Sequence, residues 1–146
     1  MGGAADDGAE NAPLCPALAK RFTVYNYARR GRGDSGDTQP YAVDREIEDL
    51  DALVAEAGGS AHVFGASSGG ALALEAAAAG LSINKLVVYE VPSDMSDGAP
   101  QRHREYSEKL QALLAENRRG QAFAHIMRTW GASKENIEAA RQSPMW

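Results

Sequence analysis

Gly65-Ala66-Ser67-Ser68-Gly69 spells G-x-S-x-G, the spacing that lifts one serine hydroxyl to the tip of a sharp strand-to-helix turn. The chemistry such a turn performs is nucleophilic: the Ser67 oxygen attacks an activated carbonyl while nearby N–H groups stabilise the oxyanion that forms. Gly65 and Gly69 are required sterically, since a side chain at either flank would strike the neighbouring strand or helix as the turn tightens. The Ser68 N–H, as an unpaired donor at a helix start, is the expected oxyanion partner. A serine hydroxyl stays protonated at pH 7, so Ser67 needs a general base within about 3 Å. Glu90, at a strand end, and the imidazoles of His103 and His125 follow Ser67 along the chain. The plainer reading of Glu90 is a solvated carboxylate at a strand end. That of His103, between Arg102 and Arg104, is a solvated helix residue, and that of His125 a partly packed one. His62 precedes the turn on a strand and is expected to pack against a helix, in the wrong direction for a base.

The elements around the motif must hold it at the edge of a sheet. Phe22 to Tyr27 is aromatic and β-branched, and reads as a strand. After a loop running to Pro40, Val43, Ile47, Leu50, Val54 and Ala57 recur at helical spacing, and Gly58-Gly59 closes that helix. Ala61 to Phe64 reads as a second strand, Ser68 to Ala79 as an Ala-rich helix and Lys85 to Tyr89 as a third strand stopped at Pro92. A strand-helix-strand-helix-strand order predicts an α/β fold with a parallel sheet. Ser93 to Pro100 is a polar linker, and helices are expected near Gln101 to Asn117, Gly120 to Trp130 and Ser133 to Gln142. The expected division is 1–92, a core carrying the turn, and 93–146, a helical segment whose stripe of Tyr106, Leu110, Leu113 and Leu114 needs a packing partner.

Composition narrows the function classes. Of 146 residues, 27 are Ala and only 25 are Leu, Ile, Val or Phe; 17 of those 25 lie between Phe22 and Val91, which locates the core. The net charge of −5 repels a phosphate backbone, so no nucleic-acid partner is expected. No apolar run approaches the 18 or so residues of a membrane span, and Met1 to Asp7 lacks a signal peptide's basic and apolar parts. Cys15 is the single cysteine, which rules out an intrachain disulfide and a four-cysteine zinc site; no metal is expected. A cytoplasmic location is the expectation.

Two further patterns have plainer explanations. Gly31-Arg32-Gly33-Asp34-Ser35-Gly36 spells G-x-G-x-x-G after the first strand, but Thr38, Gln39 and Pro40 separate its last glycine from the next helix. A pyrophosphate needs the helix N-terminus at that glycine, so no cofactor is expected. Arg29, Arg30 and Arg32 could clamp an anion; a solvated surface cluster is the simpler reading.

Taken together, G-x-S-x-G at Gly65 to Gly69 and Arg30-Gly31-Arg32-Gly33-Asp34-Ser35-Gly36 one helix and one strand before it resemble the α/β-hydrolases, many of which carry R-G-x-G-x-S there. Gly2-Gly3-Ala4 looks like the remnant of that family's oxyanion loop, which implies Gly3 as the second oxyanion donor. Tyr89-Glu90-Val91-Pro92 and the helices beyond resemble the start of the family's cap domain. The resemblance implies a partial α/β-hydrolase fold, truncated at both ends, and hydrolysis of small carboxylic esters or related acyl compounds with Ser67 as nucleophile; some members of the fold place the acid at the end of the strand after the nucleophile, which makes Glu90 the candidate acid and His103, or His125, the candidate base. Two departures stand out: Ala66 replaces the family's usual His, and the chain stops before the family's C-terminal acid and His. The alternative is a catalytically inactive remnant or binding module. An open sheet edge predicts a marginally stable chain and possible homodimerisation through that edge.

Overall fold

The computed structural model describes residues 1–4 and 6–142. A 3-10 turn, Ala12–Leu14, runs into the short α1, Cys15–Leu18; then come α2, Val43–Glu56, β1, Ala61–Ala66, α3, Ser68–Ala78, and β2, Ile83–Tyr89. Three helices follow: α4, Ala99–Ala115, α5, Arg119–Thr129, and α6, Lys134–Arg141. The chain divides into two compact units, Met1–Ser93 and Asp94–Trp146.

In the first unit β1 and β2 pair in parallel, with Val63 opposite Leu86 and Ala66 opposite Tyr89. α3 makes the crossover that parallel neighbours require. On the other edge of β1 the Met1 ammonium donates to the Phe64 carbonyl at 2.9 Å and the Ala66 N–H donates to the Met1 carbonyl at 3.0 Å. The first residue thereby takes the place of a strand neighbour.

The expected strand at Phe22 to Tyr27 does not form: residues 23–29 have no regular structure, and Phe22 and Tyr25 are exposed. β-branched and aromatic residues favour extended backbone, but a strand exists only where a ladder closes, and these residues have no ladder partner among the described residues. Among the described residues the sheet therefore has two strands rather than three.

The helical stripe of α2 buries Leu50 and Val54 and half-buries Ile47, whereas Val43 and Ala57, its expected ends, are exposed. Leu50 joins Leu72 and Ala76 of α3 in the core, with Met1, Tyr27, Ile47 and Leu81 packed around them. Glu46 lies on the same stripe, one turn before Leu50, and is 2% exposed. In the second unit, α4 turns Leu113 inward while Leu114 is 48% exposed, so the predicted stripe is narrower than expected. Ala122 and Ala124 of α5 and Ile137 of α6 are buried, and the Asn136 N–H donates to the Ser133 hydroxyl at 3.1 Å, capping α6. No helix of the described residues is long and apolar enough to cross a membrane.

Candidate active site

β1 ends at Ala66 and α3 begins at Ser68, so the whole reversal from strand to helix falls on Ser67. Its backbone has φ 50° and ψ −123°. A side-chain-bearing residue in that region is strained by about 1–3 kcal/mol and persists only where its surroundings over-determine it. Here they do. The Ser67 N–H donates to the Tyr89 carbonyl at 2.8 Å, anchoring the turn to β2, while the Ser67 carbonyl accepts from Gly70 and Ala71 at 2.9 and 3.1 Å, starting α3. The Ser67 side chain makes no capping bond to α3, so its hydroxyl is not consumed by the helix it precedes.

The glycines around the turn are places of backbone-to-backbone approach. A Cβ on Gly65 would stand 2.5 Å from the Gly69 carbonyl oxygen and 2.7 Å from the Gly70 Cα; one on Gly69 would stand 2.5 Å from the Gly2 carbonyl oxygen. Gly70, which the motif does not include, is close as well: a Cβ there would meet the Gly65 carbonyl oxygen at 3.0 Å and the end of the Val91 side chain, Cγ2, at 2.6 Å.

Gly3 lies beside the nucleophile: its Cβ position is 3.5 Å from Ser67 Cβ. Its N–H, however, donates to Glu10 Oε2 at 2.6 Å, so this amide already has an anionic partner. The Gly3 carbonyl accepts from Arg32 Nη1 at 2.8 Å. The Ser68 N–H belongs to the first turn of α3, where no intrahelical acceptor exists.

Glu90 is exposed, has φ 50°, and directly follows the residue whose carbonyl holds the Ser67 N–H. His103 belongs to the second unit, where its ring is 6.5 Å from that of Tyr106; Tyr106 stacks on His125 at 5.2 Å, and the buried His125 Nε2 has no hydrogen-bond partner among the described residues. His62 is exposed and meets the Phe22 ring edge-on at 5.9 Å, instead of packing against a helix as expected. His62, the histidine of the first unit, makes no hydrogen bond to Ser67.

The arginines are not the solvated cluster that the sequence suggests. Arg29 is 6% exposed and grips Glu46 with two bonds, Nε to Oε2 and Nη2 to Oε1, both 2.5 Å. Its Nη1 donates to Ser68 Oγ at 3.0 Å. Tyr41 adds its hydroxyl to Glu46 Oε1 at 2.9 Å. Burial by itself would push the Glu46 carboxyl up, but the bonds and charge of Arg29, with Tyr41, outweigh it and hold the carboxyl below its ordinary value. Arg30 makes a second two-point grip one turn along α2, on Asp49, both bonds 2.8 Å. Three elements (α2, the start of α3 and the Gly3 loop) are tied together by one run of arginines. The signal missed in the sequence is Glu46 itself: a carboxylate on a buried stripe must have a cation facing it.

A cavity of about 470 Å³ lined by Tyr27, Arg30, Thr38, Asp49 and Leu53 lies on this loop and does not include Ser67. Among the described residues no group of three or more His, Cys, Asp and Glu is placed to hold a metal ion.

A family model described as the alpha/beta hydrolase family matches residues 11–144. This chain belongs to the alpha/beta hydrolase family. A crystal structure of an alpha/beta hydrolase from Sphaerobacter thermophilus DSM 20745 is similar to it at 51% identity and a TM-score of 0.85; the match covers 100% of this chain and 57% of that one. The chain thus spans little more than half the length of that hydrolase. No curated protein matches it. The two-stranded parallel sheet and its helices are accordingly part of an alpha/beta hydrolase fold.

Proposed function

We propose that the protein is a serine hydrolase of small carboxylic esters or related acyl compounds, with Ser67 as its nucleophile. The observation that carries this is the conformation of Ser67: a strained φ of 50° on the single residue between β1 and α3, its hydroxyl uncommitted to capping. Strain held in place by hydrogen bonds and glycine packing is characteristic of a residue positioned to react. In the reaction Ser67 Oγ bonds to the carbonyl carbon, its proton passes to a general base and then to the departing alcohol, and water releases the acyl group. The Ser68 N–H supports the oxyanion; Gly3 can join it once Glu10 leaves its amide. Glu90 and His103 fill the roles of acid and base on chain order.

A second reading, a hydrolase fold without the chemistry, draws on the Gly3 N–H beside Ser67 being held by Glu10 and on His62 making no hydrogen bond to Ser67. A fluorophosphonate probe separates the two. In the active protein Ser67 Oγ displaces fluoride to form an O–P bond, and the adduct maps to Ser67 and vanishes in Ser67→Ala. An unlabelled wild-type protein, with nitrophenyl ester turnover the same in wild type and Ser67→Ala, rejects the enzyme.

A further inference from the structure

Arg29 is buried, charged and distant in sequence from the turn, yet it touches the residue next to the nucleophile. Its guanidinium has five N–H donors in a rigid plane. Nε and Nη2 are committed to Glu46, which α2 holds in place, and this leaves Nη1 aimed at Ser68 Oγ, 3.0 Å away and 39 residues along the chain. A buried ion pair is a poor way to add stability, since a well-packed apolar pair of the same volume does as well. Its value lies in geometry, and the group fixed at its far end is Ser68.

We propose that Arg29 is a positioning residue for the candidate active site: gripped by Glu46, it fixes Ser68 through the hydroxyl and thereby aims the Ser68 N–H at the oxyanion formed beside Ser67. This rests on the reading of Ser67 as a nucleophile. The charge of Glu46 cancels most of the field of Arg29, so the effect is one of placement rather than of charge delivered to the oxyanion. A lysine could not act in the same way, because one ammonium cannot span both Glu46 oxygens and Ser68 in a fixed plane. Tyr41, bonded to Glu46 Oε1, steadies the carboxylate from its other side.

The test uses the full chain and Ser68→Ala, which deletes the acceptor but leaves the Arg29–Glu46 pair intact; removing Arg29 would strand a buried carboxylate and could unfold the protein. Two readouts are taken: the labelling of Ser67 by a fluorophosphonate, resolved into its maximal rate and its half-saturating concentration, and amide hydrogen exchange of residues 65–71. Ser68→Ala should slow the maximal labelling rate about tenfold, leave the half-saturating concentration unchanged, lower the urea midpoint only by the loss of one hydrogen bond to a charged donor, and speed exchange of the turn about tenfold. Ser68→Thr, which keeps a hydroxyl, should restore both readouts, and Arg29→Lys should resemble Ser68→Ala. Unchanged exchange in Ser68→Ala, a loss confined to half-saturation, or no restoration by threonine overturns the proposal. A wild-type chain that never labels rejects Ser67 as the nucleophile, and with it the aim of the amide at an oxyanion; the exchange result then decides only whether Arg29 holds the turn.

Discussion

Replacing Gly65 with alanine tests the geometry of the turn most directly. The new Cβ would stand 2.5 Å from the Gly69 carbonyl oxygen and 2.7 Å from both the Gly69 carbonyl carbon and the Gly70 Cα. All three are backbone atoms, so no side chain can rotate away. Ordinary contact begins near 3.4 Å, so the start of α3 must retreat from the end of β1 by about 0.9 Å. Overpacking of this kind destabilises by about 1–3 kcal/mol, and in a unit of this size each kcal/mol lowers the melting temperature by about 4–8 °C. A displacement approaching 1 Å at a reacting group also lowers the rate by about a hundredfold, so labelling of Ser67 should fall well beyond the stability loss. Gly36→Ala is the control, since a Cβ there would meet nothing within 4 Å; it should change stability by less than about 1 kcal/mol and leave labelling alone. Thermal unfolding followed by circular dichroism and timed fluorophosphonate labelling give the two numbers. If Gly65→Ala melts and labels like Gly36→Ala, the tight strand-to-helix approach is wrong, and the placement of Ser67 argued from it is wrong too.

Two other outcomes are expected. Glu10→Ala should raise the labelling rate about tenfold, the low end of what one part-buried charge-assisted hydrogen bond contributes, because the Gly3 N–H beside Ser67 is released; a rate that holds or drops removes Gly3 from the oxyanion site. The second concerns acid. Because Arg29 holds the folded Glu46 carboxyl below the ordinary 4.5, the unfolded chain takes up that proton more readily, and the stability it contributes is complete above pH 4.5 and lost as the pH falls through the folded value. Urea titrations should show wild type more stable than Glu46→Gln by about 3 kcal/mol at pH 7, with the gap closing below pH 4.5. A gap that stays constant down to pH 3 would refute the pairing.

The features legible from residue order are local. The turn at Ser67, the helix over Val43–Glu56 and the two strands flanking α3 follow from glycine sterics and from periodicities within a dozen residues, where few alternatives exist for the backbone. Tertiary structure alone decided the rest. Phe22 to Tyr27 has the composition of a strand but no ladder partner among the described residues, and composition does not encode who the neighbour is. Arg29 looked like a surface cation until Glu46, 17 residues on, and Ser68, 39 residues on, closed around it. Glu10 gave no sign of reaching the Gly3 amide. Pairings of this sort depend on which long-range contacts the fold brings together, and a guanidinium or a carboxylate carries the same charge and the same donors whether it meets water or a partner. Burial makes the difference, and burial is a property of the assembled fold.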